Sequence, residues 1–199
     1  MKDPGSSDPN CTPCSAGYYC DEYGMTDKTL IVRNKLCDAG YYCLGGSLVP
    51  NPTDGVKGGK CTPGNYCPRG STNQVPCAAG TYETRAGSPL CQDCPKGFYC
   101  TLGSSNPIEC VNGYCPKKSA APSLCPDGTY GSADLLRLSS EQDCPFCPEG
   151  KYCNGGAIQG DCEAGYFCDV GASLAKDPAK ICPAGHYCLL GTVMPTRCK

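Results

Sequence analysis

The sequence predicts a small disulfide-rich fold: an elongated tandem array of short β-hairpin cysteine-rich repeats, with very little helix. Three observations carry this. Cysteine supplies 22 of 199 residues, above the roughly 8–10% that marks a disulfide scaffold in a short secreted chain. Leu, Ile, Val and Phe together number 27, or about 14%, below the roughly 20% that a conventional core needs. One short phrase, C-x2-G-x-aromatic-C, recurs along the chain, and repetition at short intervals is the signature of an array.

The phrase occurs ten times. Seven copies are complete: CSAGYYC at 14–20, CDAGYYC at 37–43, CTPGNYC at 61–67, CPKGFYC at 94–100, CPEGKYC at 147–153, CEAGYFC at 162–168 and CPAGHYC at 182–188. CAAGTYE at 77–83 and CPDGTYG at 125–131 lack the second cysteine, and CVNGYC at 110–115 lacks one residue. First cysteines follow one another at intervals of 15 to 24 residues, and Cys198 stands where an eleventh copy would open. No long linker interrupts them. Residues 1–10 therefore read as an N-terminal extension, and 11–199 as one continuous array of about ten repeats.

Each letter has a physical reading. Glycine tolerates positive φ, so Gly17, Gly40, Gly64, Gly97, Gly150, Gly165 and Gly185 mark a tight turn. The aromatic before the second cysteine (Tyr19, Tyr42, Tyr66, Tyr99, Tyr152, Phe167 or Tyr187) brings large area to a miniature core; a sugar-binding tyrosine ladder is the sharper alternative. Loops such as CPRGSTNQVPC (67–77), CTLGSSNPIEC (100–110) and CLLGTVMPTRC (188–198) share C-x2-G-[ST]-x5-C. They read as hairpins closed at the base by their two cysteines. Longer inserts fill 24–36, 46–60 and 131–143. SADLLRLSSEQ (132–142) is the place for one or two helical turns.

That hairpin reading pairs each second cysteine with the next first cysteine: Cys20–Cys37, Cys43–Cys61, Cys100–Cys110, Cys153–Cys162, Cys168–Cys182 and Cys188–Cys198. Two quartets remain, Cys67, Cys77, Cys91, Cys94 and Cys115, Cys125, Cys144, Cys147, each with three possible connectivities. Cys11 and Cys14 are left over. They bond to each other, to a preceding segment or to another subunit. With the terminal Cys198-Lys199, they lead us to expect a piece of a longer array.

CAAGTYETRAGSPLCQDCPKGFYC (77–100) and CPDGTYGSADLLRLSSEQDCPFCPEGKYC (125–153) resemble the ephrin-receptor-like cysteine-rich repeat, itself related to tumour-necrosis-factor-receptor modules. The likeness places ephrin-receptor-like segments at about 77–110 and 125–162. The shorter units look like the arrays of protist surface proteins, so the resemblance runs from 11 to 199. In related modules the cysteine of C-x2-G-x-Y pairs with the next one along. The resemblance thus implies Cys77–Cys91 and Cys125–Cys144, with outer pairs Cys67–Cys94 and Cys115–Cys147. Cys100 and Cys153 are extra to the receptor pattern.

The chemistry of the residues argues against several function classes. A net charge of −2 and a pI near 5.4 give no pull towards nucleic acid. No apolar run approaches the roughly 18 residues of a membrane span; TLIV at 29–32 is the most apolar stretch. MKDPGSSDPN (1–10) has no apolar segment and is no signal peptide. C-x2-C at 11–14, 91–94 and 144–147 lacks the histidines or paired knuckles of a zinc site. It also lacks the βαβ setting of a redox dithiol. The single histidine, His186, sits at a variable motif position. No nucleophile has a base, no phosphate loop appears, and the acids form no calcium loop. We expect no enzyme and no cofactor. Asn10, in Asn-Cys-Thr, is a weak glycan acceptor, and Ser/Thr/Pro loops such as GSTNQVP suit O-glycans.

Dense cysteine belongs to an oxidising compartment, so the expected location is extracellular or the cell surface. The expected role is a structural repeat protein, self-associating or joined to other surface proteins in a filament, coat or appendage. The alternative is a cysteine-rich receptor or adhesion ectodomain that binds a protein ligand.

Overall fold

The structure, a computed structural model, describes residues 13–22 and 25–199. They form two compact units. One comprises the described part of Met1–Asp93 with Cys100–Pro107, the other Cys94–Tyr99 with Ile108–Lys199. The sequence carries no mark of this division.

The first unit holds one helix, α1 (Asp27–Val32), and three antiparallel pairs. These are β1 (Tyr41–Cys43) with β2 (Gly58–Lys60), β3 (Asn65–Tyr66) with β4 (Val75–Pro76), and β5 (Thr81–Tyr82) with β6 (Gln92–Asp93). The second unit pairs β7 (Phe98–Tyr99) with β8 (Ile108–Glu109), β9 (Lys151–Asn154) with β10 (Ala157–Asp161), and β11 (His186–Tyr187) with β12 (Thr196–Arg197). Single bridges complete the same pattern at Tyr18–Leu36, Tyr114–Ser123, Thr129–Phe146 and Tyr166–Ile181. Every copy of the motif thus opens a hairpin. Its aromatic segment is the first strand, and the residues just before the next first cysteine are the second. Almost all of the regular structure is small β-hairpin.

Helix forms where the sequence reading did not place it. Thr26 caps α1, its hydroxyl accepting from the Thr29 N–H at 3.3 Å, with Asp27 in the first turn. Leu30 is fully buried with Met25 beside Cys14 and Cys20, and half-buried Tyr18 packs against them. The expected helix in 132–142 is absent. Only a 3-10 turn, Glu141–Asp143, forms at its end. Arg137 in that stretch stands at φ 63, which no right-handed helix passes through.

Sulfur replaces the greasy interior. Apart from Met25, Leu30 and Pro52, every buried apolar side chain among the described residues is a cysteine. The motif aromatics mostly lie half-buried along the strands, so they flank the sulfur and do not form the core. Three carry a cation on the ring: Lys35 over Tyr19, Arg137 over Phe98 and Lys180 over Phe167. Each cation also meets a carboxylate, Asp21 at 2.6 Å, Glu109, and Asp169 at 2.6 Å. The Lys35 ammonium holds the Asp21 carboxyl below its ordinary range.

The bridges correct the six hairpin pairs. Six of the seven complete motifs are clasped on themselves: Cys14–Cys20, Cys37–Cys43, Cys61–Cys67, Cys147–Cys153, Cys162–Cys168 and Cys182–Cys188, with Cα atoms 5.6 to 6.2 Å apart. Cys110–Cys115 is the shortened version. Cys94 and Cys100 are also both disulfide-bonded, and Cys110 is taken by Cys115, so Cys100–Cys110 does not form. Strand register explains the difference. The residue directly before each next first cysteine lies opposite the first strand residue, as Lys60 opposite Tyr41. Cys61 therefore falls beside Gly40, its N–H donating to the Gly40 carbonyl at 3.0 Å, and not beside Cys43. The positive-φ glycine meanwhile folds the motif back until its own two cysteines meet the spacing a disulfide needs.

In the quartets the structure bonds Cys77 to Cys91 and Cys125 to Cys144, the inner pairs implied by the receptor resemblance. The implied outer pairs, Cys67–Cys94 and Cys115–Cys147, do not form, because Cys67, Cys115 and Cys147 are held in clasps. Cys14 is bonded to Cys20, which removes the Cys11–Cys14 option. Cys198, expected to bond to Cys188, is a free and exposed thiol. Cys11 and Asn10 lie outside the described residues.

Candidate functional site

In six motif loops three backbone groups are presented together, and one turn of the next repeat takes all three. In the first loop, the Gly17 N–H donates to the Cys43 carbonyl at 2.9 Å. The Cys20 N–H donates to the Ser47 carbonyl at 2.9 Å, and the Cys14 carbonyl accepts from the Gly46 N–H at 2.8 Å. The partner is the turn Cys43–Ser47. The pattern then advances by one repeat. Loop 37–43 is taken by turn 67–71, loop 61–67 by 83–88, loop 77–83 by 100–104, loop 147–153 by 168–172, and loop 162–168 by 188–192. Six loops thus make the complete set within their own units. These turns spell C-x2-G followed by Ser, Ala or Thr, with Glu83-Thr-Arg-Ala-Gly-Ser one residue longer.

A second contact reaches one repeat further. The carbonyl of each turn's glycine presses on the motif glycine two loops back. A Cβ on Gly40 would lie 2.2 Å from the Gly87 oxygen, on Gly64 2.3 Å from the Gly103 oxygen, on Gly128 2.5 Å from the Gly171 oxygen, and on Gly150 2.5 Å from the Gly191 oxygen. The motif glycine thus serves both the left-handed turn (Gly40 has φ 87) and this close approach. The other face of the turn glycine is covered by the residue before a first cysteine, as Gly70 by Leu36 and Gly171 by Phe146.

Several positions take up these roles without the expected residue. Lys118 (φ 70) and Arg137 (φ 63) hold the turn-glycine place, their N–H groups donating to the Cys94 and Cys110 carbonyls at 2.8 and 3.0 Å. Arg137 is compensated there by Glu109, the residue before a first cysteine, through Nε at 2.9 Å. Asn112 (φ 57) supplies the left-handed residue of the short loop 110–115. Gly131 stands where a second cysteine is missing because a Cβ there would lie 2.5 Å from the Gly113 nitrogen. The sequence signal for these substitutions is their spacing from flanking cysteines, which reading residue types one by one does not show.

Glu83 replaces the other missing second cysteine. Its side chain is 1% exposed. Burial alone raises its carboxyl pKa. The Arg85 backbone N–H at 2.9 Å and the side chains of Ser88 and Gln92 outweigh this, so the carboxyl lies below its ordinary value of 4.5. A depressed carboxyl stabilises above the unfolded pKa, and that stabilisation is lost as pH falls through the folded one. Glu83→Gln is therefore expected to cost about 1–3 kcal/mol at pH 7, the worth of charge-assisted hydrogen bonds. The cost should shrink as the pH drops below about 4. Urea unfolding of both proteins at a series of pH values checks it; a cost that does not change with pH would refute the carboxylate's role.

The chemistry of this arrangement is cohesion. Among the described residues no cluster of His, Cys, Asp or Glu is disposed to hold a metal ion, and no helix is long and apolar enough to cross a membrane. His186 lies in β11 with Nδ1 3.3 Å from the Ala184 carbonyl.

No protein-family model matches the chain. It is similar to ABC transporter G family member 25 of Oryza sativa subsp. japonica, with 26% identity over 176 residues. That match covers 82% of this chain and 15% of the transporter.

Proposed function

We propose that the protein is an extracellular structural array, a subunit or segment of a surface filament, coat or appendage. The observation that carries this reading is the three-bond contact between clasped loop and turn. It is made by backbone groups, so it repeats while the side chains around it vary. Such contacts suit a quasi-one-dimensional repeat protein, whose stability is a sum of units and neighbour interfaces. The oxidising compartment follows from the bridges that replace a core, and the ephrin-receptor-like resemblance points the same way. Immunogold electron microscopy with an antibody to this chain tests it. Ordered labelled structures at the cell surface are expected; label confined to the cytoplasm, or scattered singly with no ordered structure, rejects it.

A second reading has its own support. The relative is an ABC transporter by name, and the match occupies 15% of it. An array of this kind then serves as one ectodomain segment of a larger membrane protein. Fractionation separates the two: an integral membrane polypeptide much larger than 20.8 kDa that carries this sequence favours the second reading.

A further inference from the structure

We propose that the Cys77–Cys91 bridge is a thiol-exchange site, at which a reduced thiol attacks the Cys91 sulfur and unfastens one joint of the array. This reactivity goes beyond the scaffold role and does not depend on it.

Two observations single out this bridge. The first is access. Of the twenty bridged cysteines among the described residues, eighteen are buried, and Cys91 and Cys182 are partly exposed. Cys77, at the other end of the bridge, is fully buried. Cys125–Cys144, the bridge of the same kind in the second unit, is buried at both ends. The local chain differs accordingly. A 3-10 turn, Glu141–Asp143, runs straight into Cys144, whose N–H donates to the Glu141 carbonyl at 3.2 Å. Cys91 instead follows exposed Pro89 and Leu90 and leads into β6, whose two residues are also exposed.

The second observation is what the bridge holds. No other cysteine lies between 77 and 91, so this segment has no clasp of its own. It takes part in two joints. Its turn 83–88 holds loop 61–67, the Gly64 N–H donating to the Glu83 carbonyl at 2.7 Å and the Gly87 N–H to the Cys61 carbonyl at 2.8 Å. Its loop 77–83 is held by turn 100–104, the Gly80 N–H donating to the Cys100 carbonyl at 2.7 Å and the Gly103 N–H to the Cys77 carbonyl at 2.8 Å. The bridge at Cys182 closes only its own motif, with a sequence separation of 6. Glu83 stands across the hairpin from Cys91, in the register that pairs Tyr82 with Gln92. Its negative charge would repel an incoming thiolate, and the exposed Arg85, 3.6 Å from the carboxylate, offsets it.

In the exchange, the thiolate sulfur bonds to Cys91 Sγ while the Cys77–Cys91 bond breaks. The electron pair leaves on Cys77 Sγ, which takes up a proton. A second thiol attacks the reagent's sulfur in the mixed disulfide and frees Cys91. Two reagent thiols are thereby oxidised to one disulfide as the bridge is reduced to two thiols.

The test uses the whole oxidised chain, with existing thiols such as Cys198 first blocked by N-ethylmaleimide. Reduced glutathione is added without denaturant, samples are quenched with iodoacetamide, and peptides are mapped by mass spectrometry without reduction. A glutathione adduct on Cys91, with the iodoacetamide label on Cys77, should form at least about tenfold faster than any label on Cys125 or Cys144, because access limits the attack. In the opened protein the Gly64 and Gly87 amides should lose at least about tenfold in hydrogen-exchange protection, while Gly40, in the preceding joint, keeps its own. Equal rates at the two bridges, an adduct on Cys77 in place of Cys91, opening only under denaturant, or unchanged protection at Gly64 and Gly87 overturns the proposal.

Discussion

Gly40→Ala is expected to lower stability by about 3 kcal/mol, while Gly165→Ala costs only about 1. Both glycines hold left-handed backbone, with φ 87 and φ 91. A Cβ in that region costs about 1 kcal/mol or slightly more, because it crowds the following carbonyl. The two differ in what that Cβ would meet. At Gly40 it lies 2.2 Å from the Gly87 oxygen and 2.8 Å from the Gly87 carbonyl carbon; at Gly165 nothing stands within 4 Å. The obstruction at Gly40 is backbone, held by the Gly87 N–H bond to the Cys61 carbonyl at 2.8 Å, so it has little freedom to give way. Forcing overpacked repeats apart adds roughly 1–3 kcal/mol. Urea unfolding of the disulfide-intact proteins reads the difference directly. Equal losses at the two sites would mean that left-handed strain alone matters and that the repeats do not press on one another.

The second large effect comes from the long bridge. Replacing both Cys125 and Cys144 by alanine is expected to cost about 3 kcal/mol, and replacing Cys110 and Cys115 about 2, on the chain-entropy account of loop closure. The first bridge spans 19 residues and the second 5. Cys125 and Cys144 are 3% and 6% exposed, so lost burial adds to the first figure. Among the described residues the buried apolar side chains other than cysteine are Met25, Leu30 and Pro52, all in the first unit, so no hydrophobic cluster beside this bridge compensates. Denaturant midpoints of the two double variants, with mass spectrometry to verify that the remaining bridges are native, decide it. A smaller loss from the long bridge than from the short one would count against the entropic account and shift the weight to local packing.

The sequence also shows where reading runs out. The positive φ at the motif glycines was legible because C-x2-G-x-aromatic-C repeats too often to serve anything but a turn, and the hairpins were legible in the intervals between copies. The clasp was not. Two cysteines six apart and two cysteines ten apart both read as closable loops, and the choice depends on strand register, which sets Cys61 beside Gly40. The inner quartet pairs came from likeness to receptor modules, not from spacing. The turn C-x2-G-[ST] is legible as a loop signature, but its partner is not, since the contact links residues well apart in the chain, as Gly17 to Cys43 and Gly70 to Cys37, through backbone groups that leave no mark in side-chain chemistry.

By itself the sequence determined what this protein is made from: too little aliphatic residue for a core, enough sulfur to replace one, and a glycine at most places where the chain turns left-handed. The tertiary structure decided what those parts hold. It fixed which cysteines meet, gave Glu83, Lys118 and Arg137 places that composition assigns to cysteine or glycine, and docked six of the motif loops under the turn of a neighbour. The physical reason is that local conformational preference belongs to a residue and can be read from its type. Pairing depends on distance in space, which only the folded register supplies.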